Sequence, residues 1–155
     1  MLDSTSWTPF VHRRTVAWGD TDSAAIVYTA RFLDYMLEAI EALMRERAGA
    51  DWYRLNVDEN IGTPFVNVGL DFKSPVTPRE PLDIRVLVAR IGRSSVTYAV
   101  QGSGAESGVL KFTGSATSVF VTARDVTVAG PRDIPDVYRR ALEMEAAHAA
   151  ALLDA

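Results

Sequence analysis

The sequence predicts an α+β fold, in which an antiparallel β-sheet wraps around one long central helix. The first observation is a wide apolar stripe at helical spacing in residues 28–47. The second is a series of four alternating, β-branched runs in residues 64–121, separated by segments rich in turn residues. A helix followed by consecutive hairpins indicates a sheet that carries its helix on one face. An amphipathic, alanine-rich second helix over residues 136–153 follows the sheet.

The first predicted elements are a strand, a turn and the central helix. Residues 10–18 (FVHRRTVAW) alternate as a strand does, and the small-residue turn GDTDSAA follows at residues 19–25. From Tyr28 to about Arg47, one helix face is apolar and the other polar. The apolar positions are Phe32, Leu33, Met36, Leu37, Ala39, Ile40, Leu43 and Met44, and the polar ones are Arg31, Asp34, Glu38, Glu41 and Arg45. So wide an apolar face indicates that the helix is mostly buried.

The remaining elements are separated by clear turn signals. Residues 48–62 are predicted to be irregular. The four strands that follow are predicted at residues 64–72, 82–91, 95–101 and 109–121, with KSPVTPREP, GRS and GSGAESG between them. Pro135 suits the first turn of the last helix.

Composition is that of one globular domain spanning residues 1–155. Apolar residues make up 48% of the chain and charged residues 23%, and the net charge of −4 argues against a nucleic-acid partner. No cysteine is present, which excludes disulfides and thiolate sites and fits a cytoplasmic protein. The apolar runs are shorter than the roughly 20 residues of a membrane span, and the N-terminus lacks the pattern of a secretion signal.

Several kinds of active site are excluded by residue identity. The chain has only two histidines, His12 and His148, so we expect neither a zinc site nor a histidine triad. An EF-hand loop beginning at Asp20 would need an oxygen ligand where Ala24 stands. No serine lies in a G-x-S-x-G motif. We therefore expect no metal, and a catalyst in this chain would use carboxylates and backbone dipoles.

Asp20 and Asp22 lie two residues apart in the turn before the central helix, and two interpretations of them are open. Aspartate is favoured in turns and near helix starts because its oxygens accept backbone N–H bonds. A helix N-terminus also presents free N–H groups that can hold a developing oxyanion beside a carboxylate. The residues alone do not separate a structural role from a chemical one.

The segment WGDTDSAAIVY at residues 18–28 resembles the G-D-x-D-x-x-G-I-V motif of the 4-hydroxybenzoyl-CoA thioesterase family. The segment IGTP at residues 61–64 is similar to the family's entry into its second strand. DFKSPV at residues 71–76 and EPLDI at residues 80–84 are similar to its next strand, turn and strand. The resemblance implies a hotdog fold and hydrolysis of an acyl-CoA, for which an aryl- or a short-chain acyl group is the candidate.

The resemblance also implies roles for individual residues. Asp22 falls on the catalytic aspartate, acting as nucleophile or as general base to water, and Asp20 with Gly19 falls on the structural part of the turn. The backbone N–H of Thr29 falls on the oxyanion contact.

The same resemblance places coenzyme A as part of the substrate and requires no other cofactor. Arg93 falls on a basic strand turn that contacts CoA phosphates, with Arg90 a second candidate. Thr63 falls on a substrate contact.

In this family the active site lies between two subunits, which implies a homodimer or a homotetramer built as a dimer of dimers. The residues agree, since the strand that begins at Pro64 carries Phe65, Val66 and Val68 and is too apolar for a free edge.

One alternative is a non-catalytic hotdog protein that binds an acyl-CoA or a protein partner. It is suggested by Ala25, which stands where the family has glycine, and by the altered segment at residues 29–31. A hotdog hydratase would need a histidine five residues after its aspartate, where this chain has Val27.

Overall fold

The computed structural model describes residues 6–125, 127 and 130–154. The main strands and helices follow in chain order: β1 (Phe10–Arg14), α1 (Arg31–Leu43), β2 (Ile61–Gly62), β3 (Phe65–Phe72), β4 (Leu82–Ile91), β5 (Ser95–Gly104), β6 (Leu110–Val119), β7 (Val121–Thr122) and α2 (Asp136–Leu153).

The main sheet has five antiparallel strands in the order β1-β4-β5-β6-β3. Strands β4, β5 and β6 form a meander, while β1, which precedes α1, and β3, which follows it, become the two edges of the sheet. Strands β2 and β7 pair separately as a two-stranded ribbon. Among the residues that the structure describes, this topology leaves the backbone of one side of β3 unpaired.

Helix α1 forms the centre of the hydrophobic core. Tyr35, Met36, Ala39, Ile40 and Leu43 are all completely buried, at the helical spacing that the sequence predicts. Each large apolar side chain contributes about 1.5–3 kcal/mol by leaving water, which is why the sheet curls around this helix. The inner faces of β4 and β5 supply much of the opposite wall of the core.

The central helix begins three residues later than the sequence predicts. Tyr28 was expected to open it, but the N–H groups of Arg31 and Phe32 close a turn onto the carbonyls of Tyr28 and Thr29 before regular helix starts. At its other end the helix continues as a π-helical turn over Met44–Ala48. Gly49 ends it with a φ of 82°, the left-handed conformation that glycine adopts without strain.

Part of the segment predicted to be irregular is helical. After Asp51 the chain makes a short helix that becomes π-helical over Arg54–Asp58. The Asp51 side chain caps it by accepting the N–H of Arg54 at 2.9 Å, and Leu55 is completely buried. The prediction of an irregular segment over residues 48–62 is therefore wrong for this stretch.

Two predicted strands are too long. The first ends at Arg14, because Trp18–Asp20 forms a 3-10 turn, and the last divides into β6 and β7. Strand β5 runs three residues further than predicted, to Gly104. Helix α2 matches its prediction and packs against β4, and its Tyr138, Leu142 and Ala149 are buried. Within the described ranges, no helix is both long and apolar enough to cross a membrane.

Candidate functional site

The two aspartates lie in a compact loop between β1 and α1. Thr21 and Val27 form an antiparallel bridge across this loop, and the N–H of Asp22 donates to the carbonyl of Ile26 at 2.9 Å. At the tip, Ala25 takes a φ of 61°, so the tight reversal places an alanine in the left-handed region. The loop is fastened to the β3–β4 connection by the N–H of Val27, which donates to the carbonyl of Val76 at 2.8 Å.

Asp22 is exposed at the surface of this loop. Its Oδ1 accepts the backbone N–H of Ala24 at 2.8 Å, which forms an Asx turn. No salt bridge within the described ranges involves Asp22. The carboxylate is thus oriented by its own turn and open to a reactant from solvent.

The backbone N–H of Thr29 lies at the same end of α1. The Tyr28 N–H donates to the carbonyl of Asp20, and the N–H groups of Arg31 and Phe32 are used in the first turn. Among the described residues, the N–H groups of Thr29 and Ala30 donate no hydrogen bond. A free N–H at the positive end of a helix can stabilise a developing oxyanion.

A cavity of about 370 Å³ adjoins this loop. Ile26 and Thr29 line it from the loop, Phe32 from α1, and Phe72 and Val76 from the sheet side. Phe32 and Phe72 meet edge to face with ring centroids 5.0 Å apart. The cavity is within the usual size range for a small-molecule site, and its walls are mainly apolar.

Asp20 differs from Asp22 in being buried, with only 8% of its surface exposed. Its Oδ2 accepts the hydroxyl of Tyr35 at 2.7 Å and the N–H of Ala17 at 3.1 Å. Arg14 lies 3.7 Å from Oδ2 and Arg31 lies 4.0 Å from Oδ1. Burial alone would raise the pKa of Asp20, but these hydrogen bonds and cations outweigh it and hold the pKa below its usual value.

A small polar network therefore surrounds Asp20 inside the fold. The Arg14 guanidinium lies 4.8 Å from the centre of the Tyr35 ring and forms a salt bridge with Glu38. Burial and the Asp20 carboxylate both raise the pKa of Tyr35, so its hydroxyl remains protonated and donates. The network connects the end of β1, the loop and α1.

Thr63 lies in a second cavity, of about 610 Å³, on the outer face of α1. Leu37, Trp52 and Phe65 provide apolar walls, and three carboxylates of α1 also line this cavity: Asp34, Glu38 and Glu41. Thr63 precedes β3, whereas the Asp22 loop adjoins its far end at Phe72. Eight residues of strand separate them, or about 25 Å at 3.3 Å per residue.

The two arginines also lie far from Asp22 within one chain. Strand β4 begins beside Arg14 and reaches the turn at residues 92–94 after ten residues, about 30 Å of strand. Arg93 is exposed and forms a salt bridge with Asp133. Arg90 is exposed and, among the described residues, has no salt bridge. Arg139 donates to the carbonyls of Gly92 and Arg93 and so holds the turn against α2.

The structure thus brings together Gly19, Asp20, Asp22 and Thr29 at one end of the sheet. It places Thr63, Arg90 and Arg93 at the opposite end. No group of acidic residues and histidines that could hold a metal ion occurs in the parts that the structure describes. Tyr35 belongs to no motif of the sequence, and only its position, three residues after Phe32 in the apolar stripe, marks a polar hydroxyl inside the core.

Comparison with known proteins places these features in a family. The sequence profile of a family described as the thioesterase-like superfamily matches residues 16–142. A 1,4-dihydroxy-2-naphthoyl-CoA hydrolase from Picosynechococcus sp. is 35% identical over 77 residues, which are 50% of this chain and 52% of the relative. A protein of the same name from Gloeothece citriformis is 35% identical over 91 residues, covering 59% and 63%. The chain thus spans about half to two thirds of these relatives.

Solved structures show the same architecture. A thioesterase superfamily protein from Jannaschia sp. CCS1 has a TM-score of 0.82 and 40% identity, covering 89% of this chain and 93% of that one. The 4-hydroxybenzoyl CoA thioesterase from Pseudomonas sp. strain CBS-3 has a TM-score of 0.75 at 20% identity, covering 84% and 96%. The expected hotdog fold and the expected family resemblance are both confirmed.

Proposed function

The chain belongs to the thioesterase-like superfamily, and we propose that it hydrolyses acyl-CoA thioesters with Asp22 as the catalytic carboxylate. The main support is one loop that combines three features. It exposes the Asp22 carboxylate, carries the free N–H of Thr29, and forms a wall of the 370 Å³ cavity through Ile26.

The chemistry requires a group that attacks the thioester carbonyl and a group that stabilises the resulting oxyanion. Asp22 either attacks directly, giving a mixed anhydride that water then cleaves, or removes a proton from an attacking water. In both routes the Thr29 N–H donates to the developing oxyanion, and the CoA thiolate leaves. Each route balances with water as the only co-reactant, so no cofactor is needed.

We propose an aromatic acyl group. The edge-to-face pair of Phe32 and Phe72 gives the cavity a wall suited to a planar ring. The curated relatives described above are named for a naphthoyl-CoA substrate, which agrees with an aromatic ring.

We further propose that two copies of the chain pair through the free side of β3. Val66, Val68 and Phe72 are 63%, 46% and 50% exposed on this edge. The opposite edge, β1, carries Arg13 and Arg14, and charged side chains are a usual protection of an edge strand. Strand β3 has no basic residue, and its single charged side chain is Asp71, next to the last residue of the strand.

Pairing of β3 with the β3 of a second copy would also bring together predicted site residues that lie at opposite ends of the sheet in one chain. In an antiparallel pair related by a two-fold axis, the Phe72 end of one strand lies beside the Phe65 end of the other. The Asp22 loop of one copy would then face Thr63, and the turn at residues 92–94, of the second copy. This arrangement supports a shared active site in which Thr63 contacts the substrate and the arginines contact CoA.

The test is release of free thiol from aryl-, short-chain and long-chain acyl-CoA esters by the wild-type protein and two variants. Asp22→Asn should lower kcat by at least roughly 100-fold, the scale for loss of a positioned acid–base group. Asp58→Asn removes an exposed carboxylate that lines neither cavity and serves as the control for charge. Saturable binding of acyl-CoA without thiol release would overturn the proposed hydrolysis and would show that the chain is a binding protein. Equal activity of Asp22→Asn and wild type would overturn the role of Asp22.

A further inference from the structure

We propose that Tyr35 is a positioning residue, whose hydroxyl acts through Asp20 to fix the loop that presents Asp22 and Thr29. This inference rests on the proposed function for its catalytic consequence. Its structural consequence, a loop held by one buried hydroxyl, can be measured without any substrate.

The Tyr35 hydroxyl lies inside the core. Tyr35 is completely buried in the middle of the core, and its hydroxyl donates to Asp20 Oδ2 at 2.7 Å. The acceptor carboxylate is itself buried. A hydrogen bond to a buried charged group is among the stronger ones in proteins, because removing the donor leaves the charge without its partner.

Asp20 in turn forms hydrogen bonds to the residues on both sides of the loop. Its side chain accepts the N–H of Ala17 at 3.1 Å, which fixes the chain as it leaves β1. Its main-chain carbonyl accepts the N–H of Tyr28 at 2.9 Å, directly before Thr29. Asp22 follows Asp20 by two residues, so both proposed catalytic groups are attached to the segment that Asp20 holds.

The neighbouring cations do not replace the hydroxyl at their present distances. Arg14 lies 3.7 Å from Asp20 Oδ2 and is also engaged by Glu38. Arg31 lies 4.0 Å from Oδ1 and 3.6 Å from Asp34. Without the hydroxyl, the carboxylate must move to reach either guanidinium, and the loop moves with it. A misplacement of about 1 Å at a reacting group can cost about 100-fold in rate.

Tyr35→Phe tests this because the ring keeps its packing and only the hydroxyl is lost. Tyr98→Phe is a matched control. Tyr98 is also buried, in strand β5, and its hydroxyl makes a 3.6 Å contact with Met44 Sδ. We expect Tyr35→Phe to lower kcat at least tenfold with KM within about twofold, while Tyr98→Phe keeps kcat within about twofold, both at a temperature where circular dichroism shows folded protein.

Amide hydrogen exchange gives a second readout that does not depend on turnover. Tyr35→Phe should speed exchange at residues 21–29 at least tenfold and leave β5 and β6 unchanged, whereas Tyr98→Phe should leave residues 21–29 unchanged. Unchanged exchange in this loop, or equal acceleration by both variants, would overturn the positioning role. Failure of the proposed function would instead appear as absence of thiol release by the wild type.

A double mutant shows whether the Tyr35 hydroxyl affects kcat through Asp20 or independently of it. If Tyr35 acts through Asp20, Tyr35→Phe should lower kcat little further in an Asp20→Ala background, which removes the acceptor of the hydroxyl, so that the combined loss is close to the larger single loss. Losses that multiply in the double mutant would show that the hydroxyl acts independently of Asp20, and would overturn the inference.

Discussion

Asp22 Oδ1 and the backbone N–H of Ala24 are joined by a 2.8 Å hydrogen bond, so the exposed carboxylate is held by its own turn. Two residues earlier, Asp20 is held instead by the helix behind it, through Tyr35. The same residue type thus has two different environments in one loop. This contrast leads to separate predictions for the two positions.

Replacement by asparagine should lower the stability of the protein much more at position 20 than at position 22. Asn forms the same Asx turn as Asp, so Asp22→Asn should change the free energy of unfolding by less than about 0.5 kcal/mol. Asp20→Asn weakens charged hydrogen bonds in a buried site and should cost about 1–3 kcal/mol. Urea denaturation of both variants measures the difference. Equal stability of the two variants would contradict the assignment of Asp20 to structure.

The stability contributed by Asp20 should depend on pH. Its pKa in the folded protein is below the usual value, so the unfolded chain binds its proton first as the pH falls. The contribution is complete above the unfolded pKa of about 3.9 and is lost as the pH falls through the lower folded pKa. The gap in unfolding free energy between wild type and Asp20→Asn should therefore narrow below about pH 4. The control is Asp58→Asn, which removes an exposed carboxylate outside the Asp20 network and should keep the free energy of unfolding within about 0.5 kcal/mol of wild type.

Ala25 should tolerate glycine better than any larger residue. Its φ of 61° is costly for an alanine by about 1 kcal/mol and free of strain for glycine, although glycine loses more entropy on folding. We expect Ala25→Gly to raise the unfolding free energy by about 0.5 kcal/mol and Ala25→Val to lower it by about 1–2 kcal/mol. Ala24→Gly is the control, since Ala24 does not have a positive φ, and it should be neutral or destabilising. Destabilisation by Ala25→Gly would contradict this account.

Much of the fold can be predicted from the spacing of apolar residues, because burial of these residues determines how the helix and the strands pack. The stripe from Phe32 to Leu43 and the alternation in β4 and β5 require one wrapped helix, whichever loops connect them. Boundaries depend on local hydrogen bonds instead. Nothing in the apolar pattern shows that Thr29 and Ala30 lie in a turn before the helix. The short helix after Asp51 has a sequence signal in its capping aspartate, but Gly49 two residues earlier favours an irregular interpretation.

The candidate site was predictable only in part. Asp22 and Thr29 are neighbours in sequence, so a motif can place them together. The contact between Asp20 and Tyr35 joins a loop to a buried position of the helix. The distance in space between Thr63 and Asp22 depends on the order of the strands in the sheet. Sheet topology, rather than any local pattern, determines both.

The free edge of β3 should govern association. Val68→Arg places a charge on that edge and should shift the protein from dimer to monomer in light scattering at micromolar concentration. Val11→Arg makes the same change on the β1 edge, where Val11 is 49% exposed, close to the 46% of Val68, and it should remain a dimer. A wild-type monomer, or dissociation by Val11→Arg alone, would contradict pairing through β3.

The arginines of the β4–β5 turn should affect binding more than turnover. If Arg93 contacts a CoA phosphate, Arg93→Ala should raise KM about threefold to thirtyfold with little change in kcat, since an exposed charged contact is worth about 0.7–2 kcal/mol. Arg90→Ala is the parallel measurement at the arginine without a salt bridge among the described residues. Asp133→Asn frees Arg93 and should lower KM or leave it unchanged. An unchanged KM in Arg93→Ala would show that Arg93 does not contact CoA and is only a surface residue of the turn.

The sheet order has a consequence for biosynthesis. Strand β3 leaves the ribosome soon after α1, yet its sheet neighbour β6 is synthesised some 40 residues later. Until that strand emerges, the nascent chain displays both sides of β3 to water, together with the core residues that Phe112 and Ala116 of β6 would cover. We therefore expect chains arrested before residue 110 to be protease-sensitive and to depend on chaperones, while chains extended past residue 119 close the sheet around the helix.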